Sequence, residues 1–253
     1  MNMFHMNVPG SKAATLDGYV LDCYGTLGQY EKRPAIVVCP GGGYVYCARS
    51  EGEPVAMAFA ARGFHTFVLR YSTGHDAAGF APLKEVSWVI GYIREHAEEW
   101  GIDPEKIVTC GFSAGGHAAG TVGVHWIDFA ETDDDAISLC RPDAMLLCYP
   151  VISIFSDISH GISSRNLLGE HPSGKLVHYM RLEENVRSDC PPAFLWHTAT
   201  DRTVSSENSR AFKTACQAAG VPCELHLFST GDHGFSLADG SIVVNDGNMY
   251  TFE

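Results

Sequence analysis

The sequence has no long hydrophobic run. A membrane-spanning helix takes roughly 20 consecutive apolar residues, and the longest apolar runs here, at 145–149 and 193–196, have only the length of strands. The first six residues also lack the basic start and the continuous apolar core of a secretory signal. We therefore expect a soluble protein with no membrane partner, and we take a cytoplasmic location as the default.

Positive charge is also scarce. The chain has 17 Lys and Arg against 30 Asp and Glu, which gives a formal net charge of −13. Nucleic acids and anionic membranes both require a basic surface, so the charge argues against either as a partner. A neutral or cationic small molecule remains compatible with such a surface, and acidity by itself keeps a protein soluble.

The nine cysteines include no Cys-x-x-Cys pair, which is the spacing typical of a structural zinc site. Cys39, Cys110 and Cys148 lie inside apolar segments, where cysteine behaves as a small buried hydrophobic residue. We expect free thiols, no metal and no cofactor.

What the chain does have is a regular alternation of strand-like and helix-like segments over its 253 residues. Apolar runs typical of buried strands alternate with amphipathic or alanine-rich stretches typical of helices. The predicted strands are 34–39, 64–71, 106–112, 144–149, 193–197 and 223–228, and the predicted helices begin near 50, 82, 114 and 205. This alternation predicts one α/β domain over residues 1–253, with a mostly parallel twisted sheet and helices on both faces.

Some segments fit this pattern less well. Residues 19–22 and 27–30 are predicted as a short antiparallel pair, and an acidic loop is predicted at 131–135. The mixed polarity of 151–192 favours an insertion over the active-site end of the sheet, with short helices near 164–169 and 176–184. These segments carry the least information about function.

The strongest functional signal is the stretch 106–117, where an apolar strand runs through Gly111-Phe112-Ser113-Ala114-Gly115 into an alanine-rich helix. This is the pattern of a nucleophile elbow, which exposes a serine on a strained turn between strand and helix. Gly111 and Gly115 allow the close approach that such a turn needs. Because a glycine-rich turn with an ordinary serine gives the same motif, Ser113 becomes the predicted nucleophile only together with its partners.

A second glycine-rich segment, Pro40-Gly41-Gly42-Gly43-Tyr44, follows the predicted strand 34–39. A flexible loop and a loop whose amides face a ligand both fit three successive glycines. Phosphate binding is disfavoured because the Lys-Ser/Thr of a Walker sequence does not follow. We predict an oxyanion hole in which Gly42 and Gly43 act with the amide of Ala114.

Asp201 and His233 complete the predicted site. Each follows a predicted strand, and Ser113, Asp201, His233 is the chain order of the α/β-hydrolase triad. Asp232 adjoins the histidine too closely to reach its ring, and Thr200 cannot replace a carboxylate. His197 and His226 fall within strands, where a structural role is expected.

Two further segments leave alternatives open. Ser50 and Glu53 have capping-box spacing for the helix that follows, while Arg49 and Glu51 could instead line the site. His117 lies one turn beyond the serine, where it could orient the glycine loop or be a satisfied buried histidine.

On these residues the chain resembles the α/β-hydrolase superfamily, and closely its bacterial acetylxylan esterase-like carbohydrate esterases. The resemblance implies the triad Ser113, Asp201 and His233 and the oxyanion hole of Gly42, Gly43 and Ala114. Two departures stand out: Pro40 replaces the histidine of lipase-like relatives, and 245–248 shows no helical pattern where relatives close with an amphipathic helix. A sheet face left bare by that departure would favour a homo-oligomer. The matching stretches are 39–44, 51–54, 110–117, 141–143, 148–150, 194–201 and 231–234.

The predicted function is that of a serine esterase that removes short acyl groups, acetyl above all, from sugars or xylo-oligosaccharides through an acyl-serine. Tyr44, Tyr46 and Trp196 could stack on sugar rings near the mouth of the site, although buried packing explains each equally well. A peptidase of the prolyl oligopeptidase type, an acyltransferase and an inactive binding protein on a hydrolase fold remain alternatives. The peptidase would need a propeller-sized partner domain, which this length does not provide.

Overall fold

The computed structural model of the protein describes residues 1–23, 32–129 and 139–239. The predicted strand at 27–30, the acidic loop at 131–135 and the predicted non-helical end at 245–248 lie outside the described residues.

Eight strands form one sheet in the order β1-β2-β4-β3-β5-β6-β7-β8. The pairs β1/β2 and β2/β4 are antiparallel and all other neighbours are parallel, so the predicted mostly parallel sheet is confirmed. The strands are β1 Asn2–Asn7, β2 Thr15–Val20, β3 Arg33–Cys39, β4 His65–Arg70, β5 Ile102–Phe112, β6 Ala144–Cys148, β7 Ala193–Thr198 and β8 Cys223–Phe228.

The central strands are apolar at successive positions because both faces of the sheet are covered. In β3, Val37 and Cys39 point into the larger core, whereas Ile36 and Val38 point into a smaller core on the opposite face. Alternation along one strand therefore serves two cores, which explains a run with no polar positions.

Helices lie on both faces, as predicted. The first helix contributes Val55 and Ala56 to the smaller core, while the second, fourth and seventh pack in the larger one. The helices are α1 Glu53–Ala60, α2 Ala81–Glu95, α3 Ala97–Trp100, α4 Ser113–Val124, α5 Gly161–Leu168, α6 Gly174–Met180 and α7 Glu207–Ala219, with short 3-10 helices at Arg49–Glu51, Gly74–Phe80 and Leu182–Glu184. None of the described helices has the length and apolar character needed to cross a membrane.

The structure corrects two local predictions. The N-terminal segment, which we did not predict as a strand, forms β1 and pairs with β2. The predicted capping box is wrong: Gly52 occupies the N-cap of α1 and no side chain caps it. Ser50 lies within the preceding 3-10 helix instead, and Glu53 is the first residue of α1.

The segment 151–192 contains α5, α6 and the 3-10 helix Leu182–Glu184. Met180 and Leu182 are fully buried in the larger core, and Leu182 lies so close to α4 that a β-carbon on Gly120 would approach its Cδ1 to 2.8 Å. This packing holds the segment against the helix that starts at Ser113.

Candidate active site

Ser113 lies on a tight turn between β5 and α4. Its φ of +52° is in the left-handed region that side chains rarely adopt. A β-carbon on Gly111 would approach the oxygen of Gly115 to 2.3 Å, and one on Gly115 would approach the oxygen of Cys39 to 2.1 Å. The two glycines of the motif thus permit the contact of strand and helix that the sequence predicted.

The three residues predicted as a triad meet at one edge of the sheet. The Nε2 atom of His233 lies 2.8 Å from Ser113 Oγ, and its Nδ1 atom lies 2.7 Å from Asp201 Oδ2. Because the carboxylate accepts the proton on Nδ1, Nε2 is left to accept a hydrogen bond from the serine hydroxyl. This is the geometry that proton transfer from the serine requires.

The carboxyl group of Asp201 is fully buried and anchored by the backbone. Its Oδ1 accepts the amide hydrogens of Thr203 and Val204, both at 2.9 Å. Burial opposes ionisation, but hydrogen bonds from the imidazoles of His197 and His233 outweigh it and hold the pKa of Asp201 well below its usual range. Asp201 therefore stays charged and fixes the ring of His233.

The residues considered as alternatives to Asp201 and His233 make other contacts. Asp232 accepts the backbone amide of His233 rather than its ring nitrogen. Thr200 donates to the carbonyl of Gly231 at 2.7 Å and accepts the amide of the same residue at 2.9 Å. His197 is completely buried, with Nε2 3.0 Å from the carbonyl of Val204 and 3.2 Å from Asp201 Oδ2. It supports the acid, a role that sequence reasoning did not assign.

Two of the predicted oxyanion residues, Gly42 and Gly43, line the same pocket as Ser113, and the third, Ala114, follows the serine in α4. Gly42 has a φ of +125°, and a β-carbon there would approach the oxygen of Tyr46 to 2.2 Å, so only glycine fits. Among the described residues, no hydrogen bond uses the amide of Gly42, Gly43 or Ala114. Ala114 lies in the first turn of α4, where amides have no partner within the helix. Three amides are thus available to an oxyanion.

Gly42, Gly43, Ser113 and His233 line a pocket of about 380 Å³. The segment 151–192 contributes His160 and Ile162, and the glycine loop contributes Val45 and Tyr46. Ile162, Val45 and Tyr46 are exposed at 48%, 51% and 60%, so the rim of the pocket is apolar. The described residues hold no group of three or more His, Cys, Asp or Glu side chains arranged to bind a metal ion.

The predicted substrate contacts separate into one that lines the pocket and two that do not. Tyr46 lies at the rim and stays a predicted contact. Tyr44 is buried at 1% exposure, because its positive φ turns the side chain into the core, where its ring meets His117 edge-on. Trp196 lines a separate apolar groove on the face of the sheet that carries α1. Neither Tyr44 nor Trp196 can stack on a sugar at this site.

His117 joins two segments around the serine. Its Nδ1 accepts the hydroxyl of Tyr44 at 2.9 Å, and its Nε2 donates to the carbonyl of Met180 at 3.0 Å. Burial lowers the pKa of His117 to about 4, so the ring is neutral at working pH. Both interpretations from sequence hold, since this satisfied buried histidine also fixes the glycine loop.

Sequence reasoning left one residue of the site open and gave others no role. For Glu51 it weighed a capping or surface role against a place in the site, and the structure shows the second, because Glu51 is buried at 3% exposure and lines the pocket. Glu51 accepts the hydroxyl of Tyr149, the residue that follows β6, which had no predicted role although it lies in the matching stretch 148–150. His160 was also missed, because nothing in the mixed composition of 151–192 distinguishes one polar residue from another. The available signal was the resemblance, whose matching stretches 51–54 and 148–150 contain Glu51 and Tyr149.

A parallel sheet with helices on both faces, a serine on a strand-to-helix elbow, and a histidine and a carboxylate on later loops together define an α/β hydrolase. The chain belongs to the BD-FAE family, a hydrolase-fold esterase domain, whose family model matches residues 21–216.

Solved and curated relatives agree with this placement. The crystal structure of an acetyl ester-xyloside bifunctional hydrolase from Caldicellulosiruptor lactoaceticus is 38% identical, covers 93% of this chain and 86% of that one, and has a TM-score of 0.82. An endo-1,4-beta-xylanase B of Butyrivibrio fibrisolvens is 36% identical over 88% of this chain. An acetylxylan esterase of Xylanibacter ruminicola is 32% identical over 80% of it. The chain spans only 36% and 41% of the length of these two curated relatives.

Proposed function

We propose that this protein is a serine esterase that hydrolyses acetyl esters of xylose-containing sugars, with Ser113 as nucleophile, His233 as base and Asp201 as its orienting acid. One observation carries the proposal: the hydrogen-bonded line from Ser113 Oγ through His233 to Asp201, at 2.8 and 2.7 Å. The names of the relatives, an acetylxylan esterase and an acetyl ester-xyloside hydrolase, support the substrate class.

The geometry supports a two-step reaction. His233 takes the proton of Ser113 while Oγ attacks the ester carbonyl, and the amides of Gly42, Gly43 and Ala114 stabilise the oxyanion. The protonated imidazole then gives its proton to the leaving sugar hydroxyl, and an acetyl-serine remains. A water molecule activated by the same histidine releases acetate and restores the serine.

The apolar rim of the pocket suits the sugar portion of such a substrate. Tyr46, Val45 and Ile162 offer apolar surface to the face of a sugar ring, and Thr203, which also lines the pocket, offers a hydroxyl. We propose that the alcohol portion lies against this rim, with the acyl group at the amides.

The alternatives predict different outcomes. An acyltransferase would share the acetyl-serine but pass it to a sugar instead of water, and an inactive binding protein would form no acyl-enzyme. A peptidase would turn over amides. Cytoplasmic location and a homo-oligomeric state remain proposals of the sequence alone.

The deciding experiment combines labelling and turnover. A serine-directed fluorophosphonate should label the wild-type protein and not Ser113→Ala, and acetylated xylo-oligosaccharides should release acetate. We expect Ser113→Ala to lower kcat by about 10⁴-fold or more, because no other group replaces the nucleophile.

The matched control is Ser87→Ala, a buried serine on α2 that does not line the pocket. A loss below about tenfold in Ser113→Ala would contradict the mechanism. Preference for long acyl chains over acetyl, or for an amide over an ester, would contradict the substrate class.

A further inference from the structure

A second buried carboxylate lies beside the triad and has no part in the mechanism described above. Glu51 is 3% exposed although it belongs to a short 3-10 helix in the connection between the glycine loop and α1. Burying a charge is costly unless its oxygens are hydrogen-bonded. Its two oxygens therefore need partners, and these partners come from different loops of the active site.

The first partner is the glycine loop. Glu51 Oε2 accepts the amide of Gly41 at 2.7 Å. A β-carbon on Gly41 would lie 2.7 Å from that same oxygen and 2.9 Å from Ser113 Cβ. The carboxylate thus holds the glycine loop at Gly41, which lies against the side chain of Ser113 and immediately before the predicted oxyanion amides.

The second partner of Glu51 leads to the segment 231–236 that carries His233, which we call the histidine loop. Glu51 Oε1 accepts the hydroxyl of Tyr149 at 2.6 Å, and that hydroxyl oxygen accepts the amide of Ser236 at 2.8 Å. The ring of Tyr149 also meets the imidazole of His233 edge-on, with centroids 4.9 Å apart. A direct bond from Ser236 Oγ to the carbonyl of Ser50 runs parallel to this chain of contacts.

The direction of these hydrogen bonds defines the charge of Glu51. The amides of Gly41 and Ser236 can only donate, so the hydroxyl of Tyr149 accepts one proton and must give its own to Glu51. Both carboxylate oxygens then act as acceptors, which is the pattern of an ionised carboxylate. A proton on Oε1 would take the acceptor from the Tyr149 hydroxyl, and a proton on Oε2 would meet the amide hydrogen of Gly41 on the same oxygen.

We propose that Glu51 is a positioning residue. Its ionised carboxylate, together with Tyr149, connects the glycine loop to the histidine loop, and its negative charge stabilises the protonated His233. This inference rests on the proposed function, because it concerns how the same serine and histidine are held. It assigns a purpose to two residues that the serine mechanism alone leaves unexplained.

The other titratable groups around this site add no negative charge to the carboxylates of Glu51, Asp201 and Asp232. Burial raises the pKa of the Cys47 thiol to about 12 and the pKa values of Tyr71 and Tyr149 well above their ordinary range. A hydrogen bond with Cys148, together with burial, raises the pKa of Cys110 in the same way, so all four groups are neutral at working pH. On the other side, burial lowers the pKa of His160, as does the nearby His233. Asp201 and Glu51 therefore act on His233 from two directions, and Asp232 adjoins it in the chain.

The test is Glu51→Gln, which keeps the shape and removes the charge. An amide has one oxygen, so it can accept from Gly41 or from Tyr149 but not from both. We expect kcat for 4-nitrophenyl acetate to fall about 10- to 100-fold, as for the loss of hydrogen bonds that hold a catalytic group. The acid limb of the kcat/KM profile should move to lower pH by about half a unit or more, since a neutral amide no longer stabilises the imidazolium.

Two further variants separate the two parts of the proposal. Tyr149→Phe breaks the connection to Ser236 but keeps the carboxylate, so kcat should fall while the acid limb moves less than in Glu51→Gln. Glu85→Gln is the matched control, because Glu85 is also buried and also accepts a backbone amide and hydroxyl groups, those of Ser72 and Ser11, away from the pocket. It should keep the wild-type kcat and acid limb.

The kinetics of these variants either support or overturn the role of Glu51. A folded Glu51→Gln protein with the wild-type kcat and acid limb overturns the proposal. If that variant lacks a cooperative melting transition, Tyr149→Phe decides instead: an unchanged kcat overturns the proposal and a lowered kcat with unchanged KM supports it. Fluorophosphonate labelling of wild type is the separate check, since an unlabelled wild-type protein would refute the serine esterase itself and not only the role of Glu51.

Discussion

The histidine loop is held from two sides, and the two sides differ in chemistry. On one side, Asp201 receives two backbone amides and the ring of His233 itself. On the other, Glu51 receives one backbone amide and one phenol and reaches the histidine loop only through Tyr149. Both carboxylates are buried, yet only the first touches the reacting base.

The difference appears in their pKa values. Burial raises the pKa of Glu51, and the bonds from Tyr149 and Gly41 offset only part of that effect. For Asp201, burial is outweighed by hydrogen bonds, and the pKa falls. The number and charge of the donors decides whether a buried carboxylate is easy or costly to ionise. Asp201 is therefore stabilised in its ionised form by the fold, whereas ionisation of Glu51 is less favourable in the fold than in water.

The largest expected effect separates the two anchors by activity. Asp201→Asn should lower kcat by about 10³- to 10⁴-fold, because the amide favours the wrong tautomer of the base. The loss should exceed that of Glu51→Gln by at least about tenfold. Steady-state turnover of 4-nitrophenyl acetate measures both. Equal losses would break the comparison, since they would place both carboxylates in direct contact with the chemistry.

An intermediate effect concerns stability against pH. Asp201 has a folded pKa below its unfolded value of about 3.9, so it stabilises the fold above that value and loses this contribution as pH falls. The melting deficit of Asp201→Asn relative to wild type should thus be largest near neutral pH and shrink towards pH of about 3.

Glu51 should show the opposite trend. Its folded pKa lies above the unfolded value of about 4.3, so ionisation of Glu51 makes wild type less stable as pH rises through that window. The deficit of Glu51→Gln should be largest at acid pH and narrow towards neutrality. Thermal melts of both variants across this range measure the trends, and deficits that change in the same direction would contradict the assignment of opposite shifts.

The sequence was sufficient for the anchor on the Asp201 side and not for the other. Ser113 could be predicted because the sequence motif of the elbow is local: Gly111 and Gly115 stand two residues away on either side, although the contact that excludes a side chain at Gly115 comes from the end of β3. Asp201 and His233 could be predicted because strands in a parallel sheet end at a common edge. Each inference needed only neighbours in sequence or the order of the strands.

Neither neighbours in sequence nor the order of the strands could decide between the two roles left open for Glu51. Its partner Tyr149 is 98 residues further along the chain, and only the folded sheet brings the 3-10 helix beside the turn after β6. Tyr44 and Trp196 failed for a related reason. Side-chain direction decides contact with a ligand, and it depends on a positive φ at Tyr44 and on which face of β7 carries Trp196.

The smallest expected effects come from single hydrogen bonds at the two ends of the histidine loop. Thr200→Val removes both bonds to Gly231, and Ser236→Ala removes the bond from Oγ to the carbonyl of Ser50. Thr200 is exposed, so water replaces its bonds at little cost, whereas Ser236 is buried at 4% exposure. We expect a loss of kcat below about tenfold in each, with a fall in Tm of about 2 to 4 °C in Ser236→Ala and less in Thr200→Val.

The double variant sharpens this last comparison. If the two ends are held independently, their effects on the free energy of unfolding should add within about 0.5 kcal/mol, as for sites that share no partner. Urea melts of wild type, both single variants and the double variant give the coupling. A larger coupling would mean that the loop around His233 moves as one body, so that releasing either end loosens the other, and the two sides would no longer count as separate anchors.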